Sequence, residues 1–189
     1  MRKNNLILAV FFFLFASCGN DYSPKPRGYF RIDLPEKKYI SYDPSSCPFR
    51  FEIPSYAYVL RDSAQDAGPC WMSVMFPTFN AQLFLTYKEV SNNLVSYTED
   101  SRTLAYKHTV KADNIDEIPV HTANNAHGLI YAITGNAASP CQFYVTDSLH
   151  HFLRGSLYFN CAPQADSLAP VSDFIIKDIV QLVNSVQWK

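Results

Sequence analysis

Apolar residues in this chain follow three spacings, and each predicts a different kind of element. Alternation is the commonest. Residues 49–53 (FRFEI) place apolar against charged positions, as a strand with one wet face does. Residues 28–33 (GYFRID) read as an earlier strand stopped by Leu34-Pro35, and residues 56–60 as a later one. Residues 71–76 and 81–88 read as a β-pair joined by Pro77-Thr-Phe-Asn80. Strand character returns at 115–121 and 129–134. It ends in a hairpin of 142–146 and 152–159, with its tip near His150-His151.

Helical spacing appears twice. Between 92 and 111 there is no proline or glycine. Leu94, Tyr97, Leu104, Ala105 and His108 fall on one face, with Glu99, Asp100 and Arg102 away from it. Ser91 or Asn92 can cap the start. The last helix begins with Pro170 in its first turn, where a missing N–H costs nothing. Its stripe is Val171, Phe174, Ile175, Ile179, Leu182, Val183 and Val186, and Ser172, Asp173, Lys177, Asp178 and Gln181 take the other side. Burying each large side chain of such a stripe contributes roughly 1.5–3 kcal/mol, so this helix must lie on the sheet. The element order predicts an α+β domain: a mostly antiparallel sheet flanked by two helices, one on each side, in a three-layer α/β/α sandwich.

The third spacing is an unbroken apolar run, residues 6–15 (LILAVFFFLF), behind Arg2 and Lys3. Ten residues are too few to span a bilayer, which needs about twenty, and suit the apolar region of a cleaved signal. Ala16-Ser17-Cys18 closes the run with the small residues a lipoprotein signal peptidase requires, although Phe15 is bulkier than the usual aliphatic residue. Residues 1–17 are thus expected to be removed and Cys18 lipidated. Residues 18–27, with Pro24 and Pro26, form a lipid anchor and extended tether, and residues 28–189 a single domain. An ordinary secretory signal with an incidental cysteine is the weaker reading. A diacyl-type anchor holds stably where a single chain would not. Cleavage leaves 14 basic against 17 acidic residues, a net charge of −3 with no basic run, which excludes nucleic acid as a natural partner.

With Cys18 assigned to lipid, Cys47, Cys70, Cys141 and Cys161 form an even set in an oxidising compartment. Spacing leaves three pairings open. A hairpin folded at 150–151 brings Cys141 opposite Cys161 and leaves Cys47 to Cys70. No CxxC or CxxH spacing supports zinc, and no cofactor or metal is expected.

Candidate chemistry is sparse. Ser139 lacks the flanking glycines of a nucleophile elbow and suits a turn. His150-His151 suit a solvated tip better than a metal site. His108, beside Lys107 and Lys111, suits a half-buried histidine better than a base. No catalytic residue is expected. Arg154 alternates with Phe152, Ser156 and Tyr158, away from Leu153 and Leu157, and an ion pair with Asp147 would fix the hairpin's register. Arg154 and Tyr158 are candidate partner-binding residues, as is the cluster Arg27, Tyr29 and Arg31 beside the tether.

Residues 24–35 (PKPRGYFRIDLP), 106–112 (YKHTVKA), 135–140 with 142–148, and above all 151–160 (HFLRGSLYFN) resemble the gliding motility-associated lipoprotein family GldD. The likeness continues through 166–170 and 173–179 to Trp188. It implies a Bacteroidetes cell-envelope lipoprotein needed for gliding and the linked type IX secretion system, with other envelope proteins as partners and no catalytic residue. The end of the chain, a hairpin with Gly-Ser-Leu-Tyr-Phe followed by an amphipathic helix, is also similar to the PsbP/Mog1-like α/β/α sandwich, which carries fold but no function. Gly19, in place of the aspartate that retains lipoproteins at the inner membrane, points to the outer membrane facing the periplasm. The alternatives are a periplasmic binding module for a small glycan or lipid fragment, suggested by 12 Tyr and 14 Phe, and a hydrolase with a non-obvious site.

Overall fold

The computed structural model describes residues 31–189. The signal, Cys18, the tether, Arg27 and Tyr29 lie outside the described residues. From Asp33 onward the chain forms one compact unit. Its order is β1 (Tyr39–Tyr42), β2 (Phe49–Pro54), β3 (Tyr58–Arg61), β4 (Met72–Phe76), β5 (Ala81–Glu89), α1 (Leu94–Tyr106), β6 (Ala112–His121), β7 (His127–Gly135), β8 (Cys141–Thr146), β9 (His151–Phe159), α2 (Ala165–Ser185) and β10 (Gln187–Trp188). Seven strands make an antiparallel sheet in the order β3-β4-β5-β9-β8-β7-β6, and β1-β2-β10 make a small second one.

Alternation sorts the large sheet into two apolar faces. On one, Leu83, Leu85, Phe143, Val145, Leu153 and Leu157 meet Ile175, Ile179, Leu182 and Val183 of α2, and β2 adds Phe49, Phe51 and Ile53 to the same core. On the other, Tyr131 and Ile133 pack with Ala105 of α1. A helix therefore lies on each side, as the α+β sandwich requires. Gly155 sits where the Phe143 ring crosses the neighbouring strand. A Cβ there would come 2.1 Å from a ring carbon, so only glycine admits the ring.

Several expected boundaries move. No strand occurs at 31–33. Among the described residues the first strand starts at Tyr39, where β2 offers one edge to β1 and gives the other to β10. Helix α1 starts after Asn92, which is left-handed at φ 61°, and neither Ser91 nor Asn92 caps it. Instead the Asn93 carboxamide oxygen accepts from the Ser91 N–H. Beyond Tyr106 the helix tightens into a 3₁₀ turn, Lys107–Val110. Helix α2 begins five residues before Pro170, since Asn136 Oδ1 accepts the Ala165 N–H at 2.9 Å and satisfies a first-turn donor across the chain. Ser172 and Asp178, expected on its wet side, are buried.

Cys47 and Cys70 are bonded, tying the start of β2 to the start of β4. Cys141 and Cys161 are not. The β8–β9 register pairs Gln142 with Ser156 and Thr146 with Phe152, which centres the hairpin near Leu149. Cys141 then falls opposite position 157, and Cys161 lies four residues past reach. The expected tip at 150–151 was two residues too late.

Candidate functional site

The expected Arg154–Asp147 pair does not form. Asp147 closes the β8–β9 turn instead: its Oδ1 accepts the N–H groups of Leu149, His150 and His151 at 3.0, 2.9 and 2.8 Å. Burial alone would raise this carboxyl, but those bonds outweigh it and hold it below the usual carboxylate range. His150 points to solvent, whereas His151 shares a 2.8 Å hydrogen bond with the Tyr87 hydroxyl and stacks on Trp188. Two adjacent histidines thus diverge, and among the described residues no group of three His, Cys, Asp or Glu is placed to hold a metal. Ser139 is fully buried and donates to the carbonyl of Cys141.

Arg154 and Tyr158 do share a sheet face, flanking Ser156 on β9. That face is covered by α1 over β7 and β8 and left open over β3, β4 and β5. The cross-strand rows are Tyr58–Met75–Gln82–Tyr158 and Leu60–Ser73–Phe84–Ser156. On the open part Tyr58 is 51% exposed, Leu60 56% and Phe84 43%. Phe84 meets the Tyr158 ring edge-on at 5.7 Å, which holds both rings in place before anything binds. The chain turns after β4 through Pro77–Phe79 and left-handed Asn80; Asn80 and Asn160 border this area with amides, and Gln82 lies within it.

Toward α1 the same face deepens into a cleft of about 350 Å³. Arg154 and Lys88 project from the sheet, Lys107 and Asp100 from α1 and its 3₁₀ extension, and Trp71, Tyr97 and Phe152 supply rings. Arg154 Nη2 donates to Gln142 Oε1 at 2.6 Å. Partial burial pulls its pKa down. His108 lies close by with its pKa lowered by burial and then by the Arg154 charge. Of the sequence-derived cluster near the tether, only Arg31 is described; it is exposed and not unpartnered.

One constellation was not legible beforehand. Asp178, 1% exposed on α2, accepts Lys37 Nζ at 2.5 Å and the Tyr39 hydroxyl at 2.8 Å on Oδ1, and the Tyr56 hydroxyl on Oδ2. Lys37 also donates to the Phe174 carbonyl at 3.0 Å and sits over that ring. The group fastens the chain's approach to β1 onto α2. Charged residues at i and i+4 or i+5 on a helix's wet face carry no signal that one of them turns inward.

No helix among the described residues is long and apolar enough to cross a membrane. What the fold defines is a compact α+β domain with one sheet face left partly open. The family model for gliding motility lipoprotein GldD matches residues 19–188, and the chain belongs to that family. Membership makes it a membrane-anchored envelope lipoprotein with a part in gliding motility. Comparison with curated proteins gives no match. Among solved structures it is similar to the cyanobacterial PsbP (CyanoP) of Synechocystis sp. PCC 6803, with a TM-score of 0.48 and 10% identity over 88% of this chain and 100% of that one. The α+β sandwich itself is defined by the strand order and by the helices on the two faces.

Proposed function

We propose that this lipoprotein is a non-catalytic docking component of the gliding machinery and of the type IX secretion system linked to it. Lipidated Cys18 anchors it in the outer membrane on the periplasmic side, and the open sheet face binds another envelope protein. The observation that carries this reading is the open sheet face bearing exposed Tyr58 and Leu60 on edge strand β3, exposed Phe84 on β5 and half-buried Tyr158 on β9, interspersed with Gln82 and bordered by Asn80 and Asn160. Apolar centres with amide borders are the anatomy of protein interfaces, and held tyrosines are frequent anchors in them. A lipid surface would instead favour a cationic rim. Arg27, Tyr29 and Arg31 offer a second contact near the tether.

The test is a strain carrying Phe84→Ser together with Tyr158→Ser. Both positions lie on the open face, so the fold tolerates them. Loss of colony spreading and of type IX cargo secretion, at normal protein level and unchanged melting temperature, supports docking through this face. Normal spreading by that strain overturns it. Fractionation to the inner membrane overturns the leaflet assignment alone.

A further inference from the structure

From the cleft between α1 and the sheet we infer a binding site for a small anionic sugar, a glycan unit bearing a carboxylate or phosphate, with Lys88, Lys107 and Arg154 on the anion and Trp71 against the ring. This goes beyond docking and does not depend on it.

Three cations line one concave surface of about 350 Å³, within the usual size range of small-ligand sites. None of them makes an ion pair among the described residues. Lys37 and Lys189, by contrast, are matched to Asp178 and Asp43. Arg154 is the telling member. It is half-buried, has five N–H donors, and is given one neutral acceptor by the protein, Gln142. A half-buried guanidinium that the protein gives no counter-ion, facing an open cleft, is placed to receive an anion. Burial lowers the pKa of nearby His108, and the Arg154 charge lowers it further. Lys88 is laid over the Tyr97 ring at 4.5 Å, and both side chains line the cleft.

The rest of the lining selects the ligand's body. Tyr97 leans on Phe152 at 5.4 Å and carries Lys88 over its ring, so the flat apolar surface of the kind that sugar rings cover is left to the half-buried Trp71. Asp100, the one carboxylate in the lining, makes no ion pair among the described residues and can accept hydrogen bonds from sugar hydroxyls. A bare inorganic anion would use the cations and leave Trp71 and Asp100 idle. A neutral sugar would leave Arg154 uncompensated.

The full lipoprotein in non-ionic detergent is titrated calorimetrically with glucuronic acid, glucose 6-phosphate, glucose and inorganic phosphate. Glucuronic acid or glucose 6-phosphate saturates the site, and which of them binds tighter separates a carboxylate source from a phosphate one. Glucose and inorganic phosphate each bind at least about tenfold more weakly, because each loses one set of contacts. Arg154→Gln and Lys88→Gln each weaken the preferred sugar by about tenfold, as loss of a charge-assisted bond requires. Lys177→Gln, on the exposed side of α2, binds as wild type. Should Arg154→Gln misfold, Lys88→Gln and Lys107→Gln decide, since Lys107 is exposed and Lys88 only half-buried. The inference is overturned if neither sugar saturates by about 10 mM, the weak end of specific affinity. It is equally overturned if inorganic phosphate binds as tightly as glucose 6-phosphate, or if the lysine variants bind as wild type. Phe84→Ser retains sugar binding, so a failed docking role and a failed sugar site give different results.

Discussion

Lys37 and Asp178 are 141 positions apart in the chain and meet at 2.5 Å. The contact fixes where the polypeptide, arriving from the tether, joins the terminal helix. Asp178 is buried, and among the described residues its partners are Lys37 and the two tyrosine hydroxyls. Removing a partner from such a buried cluster costs far more than breaking a surface pair. Asp178→Ala is expected to lower unfolding stability by about 3 kcal/mol in urea titrations, and Asp178→Asn, which still accepts hydrogen bonds, by less. A loss in Asp178→Ala no larger than that of a surface substitution would show that the cluster is idle.

The same cluster gives the fold an alkaline limit. Burial first, and then the hydrogen bond to Asp178, push the Tyr39 phenol up from 10.0 to about 12. Tyr56 is raised further by the same causes, and burial also lifts Tyr87 and Tyr131 to about 12. A phenol with a raised folded-state pKa holds its proton longer when folded than unfolded. Its contribution is therefore complete below pH 10 and lost as pH climbs from 10 toward 12. Melting temperature should be flat up to pH 10 and fall steadily beyond it. Tyr39→Phe should make that decline shallower, and an identical decline in the variant would remove Tyr39 from the account.

Thiol chemistry separates the two cysteine pairs. Cys161 is exposed and should react at once with an alkylating reagent. Cys141 is fully buried, with its thiol pushed up to about 12 by burial, and should react only when the protein unfolds. Peptide mapping of unreduced protein should recover Cys47 linked to Cys70. Reducing that bond, which closes a separation of 23 residues, should cost about 3 kcal/mol on the chain-entropy account. Recovery of a Cys141–Cys161 peptide would contradict the β8–β9 register itself.

Asp147 sets that register, and its replacement tests it. Asp147→Ala strips three backbone N–H groups of their acceptor at the tip and should cost about 1–3 kcal/mol. Because the carboxyl is held low in the folded state, its contribution is present above the ordinary carboxylate range and disappears as pH falls through the depressed value. Acid unfolding of Asp147→Asn should therefore be less steep than that of wild type. An unchanged acid limb would mean that other carboxylates govern it.

What could be read in advance divides along sequence distance. The alternation at Phe49–Pro54 and Ala81–Glu89, the β8–β9 hairpin and the stripe of the terminal helix are local patterns, and the structure contains them all. Strand β1, whose Tyr39 and Ser41 alternate weakly with Ile40, gains its identity only from pairing with β2. The two-residue β10 exists because Trp188 meets Phe49 across 139 positions. Asp178 looked like a solvated residue because helical spacing reports the apolar stripe and not which polar neighbour will find a lysine and two tyrosines. Arg154 and Tyr158 were legible as sharing a face. That α1 covers one half of that face and leaves the other open follows from where the helix packs, on Tyr131 and Ile133, and no local pattern contains it.

The field of Arg154 can be measured without any ligand. His108 sits below its ordinary value of 6.5, held there mainly by burial and further by the Arg154 cation. Proton NMR titration of the His108 ring should show its pKa rise in Arg154→Gln while staying under 6.5, since burial remains. Between 6.5 and the folded value the unfolded chain binds a proton that the folded one refuses. Wild-type stability should therefore fall as pH drops through that window, and the fall should narrow in the variant. An anion bound in the cleft would act like the substitution, cancelling the guanidinium charge and lifting His108 with it. If the ring titrates identically in wild type and Arg154→Gln, the arginine's charge is already compensated, and the cleft has no need of an anion.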